Sequence, residues 1–366
     1  MRQGMRQQLL AQGIAALASL AAAMPLLATA QTGGNANAVA TSPAEAALPT
    51  TGNNNFEKRF APLYAAVFTE GGRFSGSAMS ADLQALEPIL KRTKAPALDF
   101  FRLYYTQATL FSRRGMPSEA GVAAQKAITA MPKPSDPQWA YPHLELSIAS
   151  VRWLAEGGRY EAALKQVQTL AVRYPLQQVA QLPTQMRWDN STPTPQPADF
   201  PTQLQVLGIY EDLGYVLHEQ GQYRQALQAN QRLLPAARER LQAMGETPRL
   251  RGLLANLAQN SYMLGQVDAA RNYLQERLQI ALGAGDHATV YDSYFQLMVL
   301  AHEQNDPQQA RQWLSTYEQY ARAQGHSDQL ARAQQLRNEL NGREAAPPPQ
   351  QPAQPPAPQP ARQPKR

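Results

Sequence analysis

Long stretches between residues 56 and 341 repeat their apolar positions with a period of about 3.6 residues, which lines them up on one face of a helix. Upstream of Gly221, for example, Tyr210, Leu213, Gly214 and Leu217 are apolar or small and share one helical face. Alternating Val/Ile/Thr runs joined by Asn-Gly or Asp-Gly, the mark of hairpins, are scarce. The pattern predicts an all-α domain over residues 56–341.

A longer period lies over this short one. Gly115 is followed five positions later by Ala120, Gly158 by Ala163, Gly221 by Ala226, Gly265 by Ala270 and Asn305 by Ala310. Gly or Asn can take the left-handed conformation that ends a helix, and a small Ala then lets the next helix pack closely on the one just finished. Two copies add a tyrosine after the turn, Tyr160 and Tyr223, whose ring can cover the seam. The recurrence predicts a right-handed α-solenoid of five to six antiparallel helix pairs, the sixth a degenerate pair around Gly72-Arg73-Phe74.

These residues resemble the tetratricopeptide repeat family: Tyr210, Leu213-Gly214, Gly221-Gln222-Tyr223 and Ala226 fill its aromatic, Leu-Gly, Gly-x-Tyr and Ala slots. The resemblance runs from Phe101 to Leu340 and is strongest over Leu207–Leu234 and Leu144–Pro175, with Pro175 and Pro132 where the family closes a second helix. Successive turns are 43, 63, 44 and 40 residues apart, against about 34 in the standard repeat. Longer helices account for the shorter spacings. The 63 contains an insertion at about residues 176–202, carrying Pro183, Pro193, Pro195, Pro197 and Pro201; it is read as a long loop, either functional or an inert surface excursion.

The ends have a different composition. Arg2 and Arg6 precede an Ala- and Leu-dominated run from Leu9 to Leu27, and Ala28-Thr29-Ala30 supplies small residues; residues 1–30 therefore read as a signal peptide, with export and a periplasmic destination expected. No other window suits a transmembrane helix, so none is expected in the mature chain. Residues 31–55 read as a flexible lead-in and residues 342–366 as a Pro-rich disordered tail, which holds nine of the 29 prolines. The absence of cysteine agrees with an oxidising compartment and excludes disulfides and thiolate metal sites.

Charge and candidate chemistry narrow the function. The formal charge is +6, but Arg2, Arg6, Arg362, Lys365 and Arg366 at the ends carry most of it. The folded part is close to neutral, with no basic run interleaved with aromatics, so nucleic acid is not an expected partner. The five histidines, His143, His218, His287, His302 and His326, show no metal-ligating spacing. His218-Glu219 and His302-Glu303 recur at matching repeat slots, as a polar helix face would. Nucleophile elbows and phosphate loops are absent. No catalytic residue, metal or cofactor is predicted. The expected function is a non-catalytic scaffold or adaptor in the bacterial cell envelope, with a protein or peptide partner. The alternative is an enzyme or substrate-binding domain acting on an envelope polysaccharide or peptidoglycan.

The family resemblance also implies where the partner would sit. Its ligand-facing slots on the first helix of each pair correspond to Arg102, Tyr105 and Arg113, then Arg152 and Glu156, then Glu211, Tyr215, His218 and Glu219. The fourth copy supplies Gln259 and Tyr262, and the last Asp292, Phe295 and His302. Aromatic area mixed with Arg and Glu suits a protein interface. The other reading, in which Tyr105, Tyr215 and Tyr262 only pack between neighbouring helices, stays open.

Overall fold

A computed structural model describes residues 54–68, 76–131, 137–185 and 200–344. The signal segment, the lead-in before residue 54, Gly72-Arg73-Phe74, Pro132, residues 186–199 of the insertion and the tail beyond residue 344 lie outside the described residues.

Thirteen α-helices and no strand are found among the described residues. They are α1 (Asn54–Phe68), α2 (Gly76–Arg92), α3 (Ala97–Arg113), α4 (Pro117–Ala130), α5 (Pro137–Glu156), α6 (Tyr160–Arg173), α7 (Gln203–Glu219), α8 (Tyr223–Ala243), α9 (Thr247–Met263), α10 (Val267–Ala284), α11 (His287–Glu303), α12 (Pro307–Gln324) and α13 (Ser327–Glu344). The chain divides into two compact units, residues 1–285 and 286–366.

In the first unit α3 packs on α4, α5 on α6, α7 on α8 and α9 on α10, and α4, α6 and α8 also meet the first helix of the next pair. Next-neighbour contacts link α1 with α3, α5 with α7 and α7 with α9. The first helices therefore form one layer and the second helices another, which is the α-solenoid arrangement of paired helices. In the second unit α11 packs on α12 and α12 on α13.

The periodic turn is what makes this arrangement repeat. Gly115, Gly158, Gly221, Gly265 and Asn305 all have positive φ, between 58° and 74°. At each of them the backbone closes in the same way: Gly221 N–H donates to His218 O at 2.8 Å and Gln222 N–H to Leu217 O at 2.9 Å, with counterparts at the other four turns. These bonds satisfy carbonyls that the end of the first helix would otherwise leave unpaired. The alanines five positions on, Ala120, Ala163, Ala226, Ala270 and Ala310, are all buried, as close helix contact requires. A methyl at Gly221 would meet no atom within 4 Å, so only the backbone conformation selects glycine there. Gly221→Ala is expected to cost about 1 kcal/mol, the left-handed penalty for an L-residue, while Asn305→Gly is expected to be neutral or slightly stabilising. Chemical denaturation of the two variants checks this, and a costly Asn305→Gly would count against it.

Helix length explains the long repeat spacing where the helices are long: α8 has 21 residues and α9, α10 and α11 have 17, 18 and 17. Between Gly115 and Gly158 the extra length sits instead in the 20-residue α5 and the connector before it. The same left-handed closure also marks turns between pairs that the sequence reading did not single out, at Gly245, Gly285 and Gly325.

The insertion differs from a plain loop at both described ends. Leu176–Gln181 is a 3-10 helix with Val179 buried. Tyr210 on α7 fastens it, accepting from Leu176 N–H at 3.0 Å and donating to Ala171 O at 3.1 Å. At the other end Phe200 is buried edge-on to Tyr141, and Thr202 with Gln205 forms a capping box on α7.

One contact between pair members is unusually close. A Cβ at Gly214 on α7 would lie 1.9 Å from Asn230 Oδ1 on α8. Asn230 is fully buried, and neither atom of its amide is hydrogen-bonded within the described residues.

Candidate functional site

The first-helix layer of α5, α7 and α9 carries a ladder of polar side chains that cross from helix to helix. Arg152 on α5 donates through Nε to Asp212 Oδ2 on α7 at 3.1 Å. On the other side of α7, Arg249 from α9 grips Glu211 Oε2 through Nη2 at 2.8 Å and Nε at 3.1 Å. Successive residues on one helix point about 100° apart, so Glu211 and Asp212 reach opposite neighbours. Both guanidinium groups close in above Gly208, where a Cβ would stand 3.3 Å from Arg249 Nη2 and 3.4 Å from Arg152 Nη2. Glycine thus leaves room for the two arginines beside α7.

The ladder continues above and below. Gln205 uses its carbonyl to cap the Thr202 N–H and its amide nitrogen to donate to Glu145 on α5. His218 Nδ1 lies 2.9 Å from Asn260 Oδ1 on α9. Because Asn260 Nδ2 donates to the Asn256 carbonyl, its oxygen accepts from His218, which fixes the imidazole tautomer with the proton on Nδ1. Tyr160, at the start of α6, donates to Glu219 Oε2 at 3.2 Å.

Partial burial perturbs these charges. Burial pushes the carboxyls of Asp212 and Glu211 upward, against the pull of Arg152 on the first and Arg249 on the second. The nearby Asp212 carboxylate in turn raises Arg152. Glu156 is raised by burial, partly offset by Arg152. Tyr215 is pushed up by burial and then by the negative charges of Glu219 and its neighbours.

Glu145 offers a test of this electrostatic picture. Burial raises its carboxyl above the usual range, opposed by the Gln205 hydrogen bond and the Arg152 charge. A carboxyl whose folded pKa exceeds its unfolded value, about 4.3 for Glu, contributes stability that is fully present below that value. That contribution is lost as pH rises through the raised folded value. Glutamine, always neutral, keeps it. Glu145→Gln is therefore expected to raise the thermal midpoint at neutral pH and leave it unchanged at about pH 4. Equal midpoints at neutral pH would refute this.

The expected ligand-facing residues divide into groups. Arg152, Glu156, Glu211, Tyr215, His218 and Glu219 belong to the ladder or touch it. Gln259 and Tyr262 stand half-buried on α9 beside Asn260. Tyr105 stacks between Phe68 and Phe101, with ring centroids 5.8 Å from each. Arg113 donates to the Val67 carbonyl and lies 5.9 Å from the Phe68 ring. Arg102 is a correction: it is buried, bound to Glu57 on α1 by both Nη nitrogens, and lies over the Phe60 ring at 5.0 Å. The first pair covers it, so it faces α1 instead of open surface. Phe295 and His302 are half-buried on α11 in the second unit, where Asp292 accepts from Gln296.

The sequence reading missed Asp212, Arg249, Glu145, Gln205 and Asn260. Arg249 sits at the third position of α9, ten residues or nearly three turns before Gln259, the first slot transferred from the family on that helix. Asp212 was hidden by its neighbour Glu211, although adjacent acids on a helix serve two different neighbours. Among the described residues no group of three or more His, Asp or Glu side chains could hold a metal ion, and no helix is long and apolar enough to cross a membrane.

No protein-family description and no curated protein matches the chain. Among solved structures it is similar to the apo form of RapI, at 11% identity over 79% of this chain and 98% of that one, with a TM-score of 0.44. A Rap protein complexed with competence and sporulation factor matches at 11% identity over 81% of this chain and 74% of that one, with a TM-score of 0.42. Aspartyl phosphate phosphatase F from Bacillus subtilis matches at 9% identity over 82% and 83% respectively, with a TM-score of 0.45.

Proposed function

We propose that this chain is an exported, non-catalytic scaffold of tetratricopeptide type that holds a protein or peptide partner against the layer of first helices α5, α7 and α9. The observation that carries the reading is the cross-helix ladder itself. Arg152 spends only Nε on Asp212, and its Nη nitrogens make no hydrogen bond among the described residues. Oriented donors of this kind, beside half-buried Tyr215 and Tyr262, suit recognition of a peptide main chain between aromatic anchors. The leader-like residues 1–30 and the absence of cysteine support residence in the periplasm.

Site-specific photo-crosslinking in living cells tests this. A crosslinker at Gln259, on the first-helix layer, is expected to capture one defined partner, and the capture should disappear with Arg152→Glu. The same crosslinker at exposed Lys165 on α6 serves as the control. Equal capture from both positions, or capture that survives Arg152→Glu, would remove the groove assignment. Amino-terminal sequencing of the purified protein checks export, with Gln31 expected as the first residue.

A further inference from the structure

The seam between α3 and α4 leaves open a groove of about 610 Å³ in the first unit. Phe100 and Tyr104 from α3, Val122 and Ala130 from α4 and Ala95 from the turn before α3 give it a mostly apolar lining. The two rings lie about one helical turn apart, with centroids separated by 6.2 Å. Of the described residues that line the groove, Lys126 alone is charged, and its ammonium sits over the Tyr104 ring at 5.1 Å. Lys126 shares Glu87 on α2 with Lys91, at 3.2 Å and 2.7 Å, so one carboxylate answers two ammonium groups and the rim keeps a positive charge. Lys94, exposed and next to Ala95 in the chain, adds to it.

We propose that this groove seats the chain's own lead-in, through Glu45-Ala46-Ala47-Leu48-Pro49. The seat is separate from the partner surface on α5, α7 and α9. Position favours this occupant first. The lead-in enters α1 at Asn54, and Glu57 is bound to Arg102, two residues from Phe100 on α3. Leu48 lies six residues before Asn54, a reach of up to about 20 Å, enough to pass around a helix about 10 Å across. Composition favours it next. Glu45 is the one charged residue between positions 31 and 53, and Leu48 is the largest apolar residue there. An acid for the basic rim and an apolar side chain for the groove floor thus stand three positions apart. Pro49 holds Leu48 in extended conformation, which suits a segment laid along a seam. The other end of the chain is a poorer match: residues 345–366 carry Arg362, Lys365 and Arg366 and no acid, so the same rim repels them.

Disulfide trapping in the purified full chain tests the seat, because the protein has no cysteine of its own. The pair Ala47→Cys, Thr129→Cys puts one thiol on the segment and one at the exposed edge of the groove. The control pair is Ala47→Cys, Lys58→Cys. Lys58 is exposed on α1 and only 11 residues from Ala47, so a lead-in that merely diffuses would meet it more often than the groove. The groove pair is expected to close within one chain about tenfold faster than the control. Adding Leu48→Asp or Glu45→Lys is expected to slow it about tenfold, the second effect shrinking as salt is raised. A thermal melt matching the parent confirms the fold, since Thr129 is exposed. A groove pair no faster than the control, or one that ignores both added substitutions, would overturn the seat. So would a disulfide formed between two chains, which assigns the groove to a second copy, or faster closure of Pro356→Cys, Thr129→Cys, which assigns it to the tail.

Discussion

Gly214→Ala is expected to destabilise the first unit by about 3 kcal/mol, the upper range for overpacking a core. The added methyl would fall 1.9 Å from Asn230 Oδ1, inside any allowed contact, and Asn230 is fully buried with nowhere to turn without moving α8. The substitution ordinarily favours a helix by up to about 1 kcal/mol, since glycine is a poor helix former, so its sign here isolates the steric cause. Asn230→Ala removes the obstacle together with a buried amide that has no hydrogen-bond partner among the described residues. The double variant is therefore expected to recover most of the loss. Urea titration of the two single variants and the pair gives the coupling directly. If the second substitution rescues nothing, the close approach of α7 and α8 is not the cause.

Glu57→Ala is expected to cost about 3 kcal/mol, typical of stranding one member of a buried pair. Arg102 is about 95% buried, between Phe56 and Phe60, and Glu57 is its counter-ion. Removing the carboxylate leaves a guanidinium enclosed by aromatic rings, whose attraction is far weaker than the charge it replaces. The accompanying prediction concerns function. Crosslinking from Gln259 should survive Glu57→Ala wherever the first unit is still folded, because Arg102 holds α1 to α3 and does not face the ladder. Loss of capture in a variant whose melt shows the unit intact would return Arg102 to the partner site.

The fold was legible because its punctuation is local. Each Gly or Asn turn and the alanine five residues later encode one helix end and one close contact, and both can be read without knowing what the pair packs against. The site was less legible for the opposite reason. Whether Arg102 reaches a groove depends on α1, where Phe56 and Phe60 lie some 40 positions earlier in the chain, and no repeat consensus describes that pair. Arg249 enters the ladder because Gly208 leaves space for it from the neighbouring helix, a condition set across 41 residues. Slot transfer pointed to Arg152, Glu211 and Tyr215 on the first helices, but it could not say which acid on α7 would be claimed by which arginine.

Among the described residues of the first unit, the main helix contacts run between first and second neighbours along the chain. Structure therefore spreads as along a row of coupled links, each pair stabilised by the next. Folding can begin at any well-formed pair without first closing a long loop, which favours rapid folding. Unfolding should begin at the ends of the row and move inward, so amide exchange is expected to be slowest in α5 to α8, the stretch that carries the cross-helix ladder. Damage at α1 can then remain at α1.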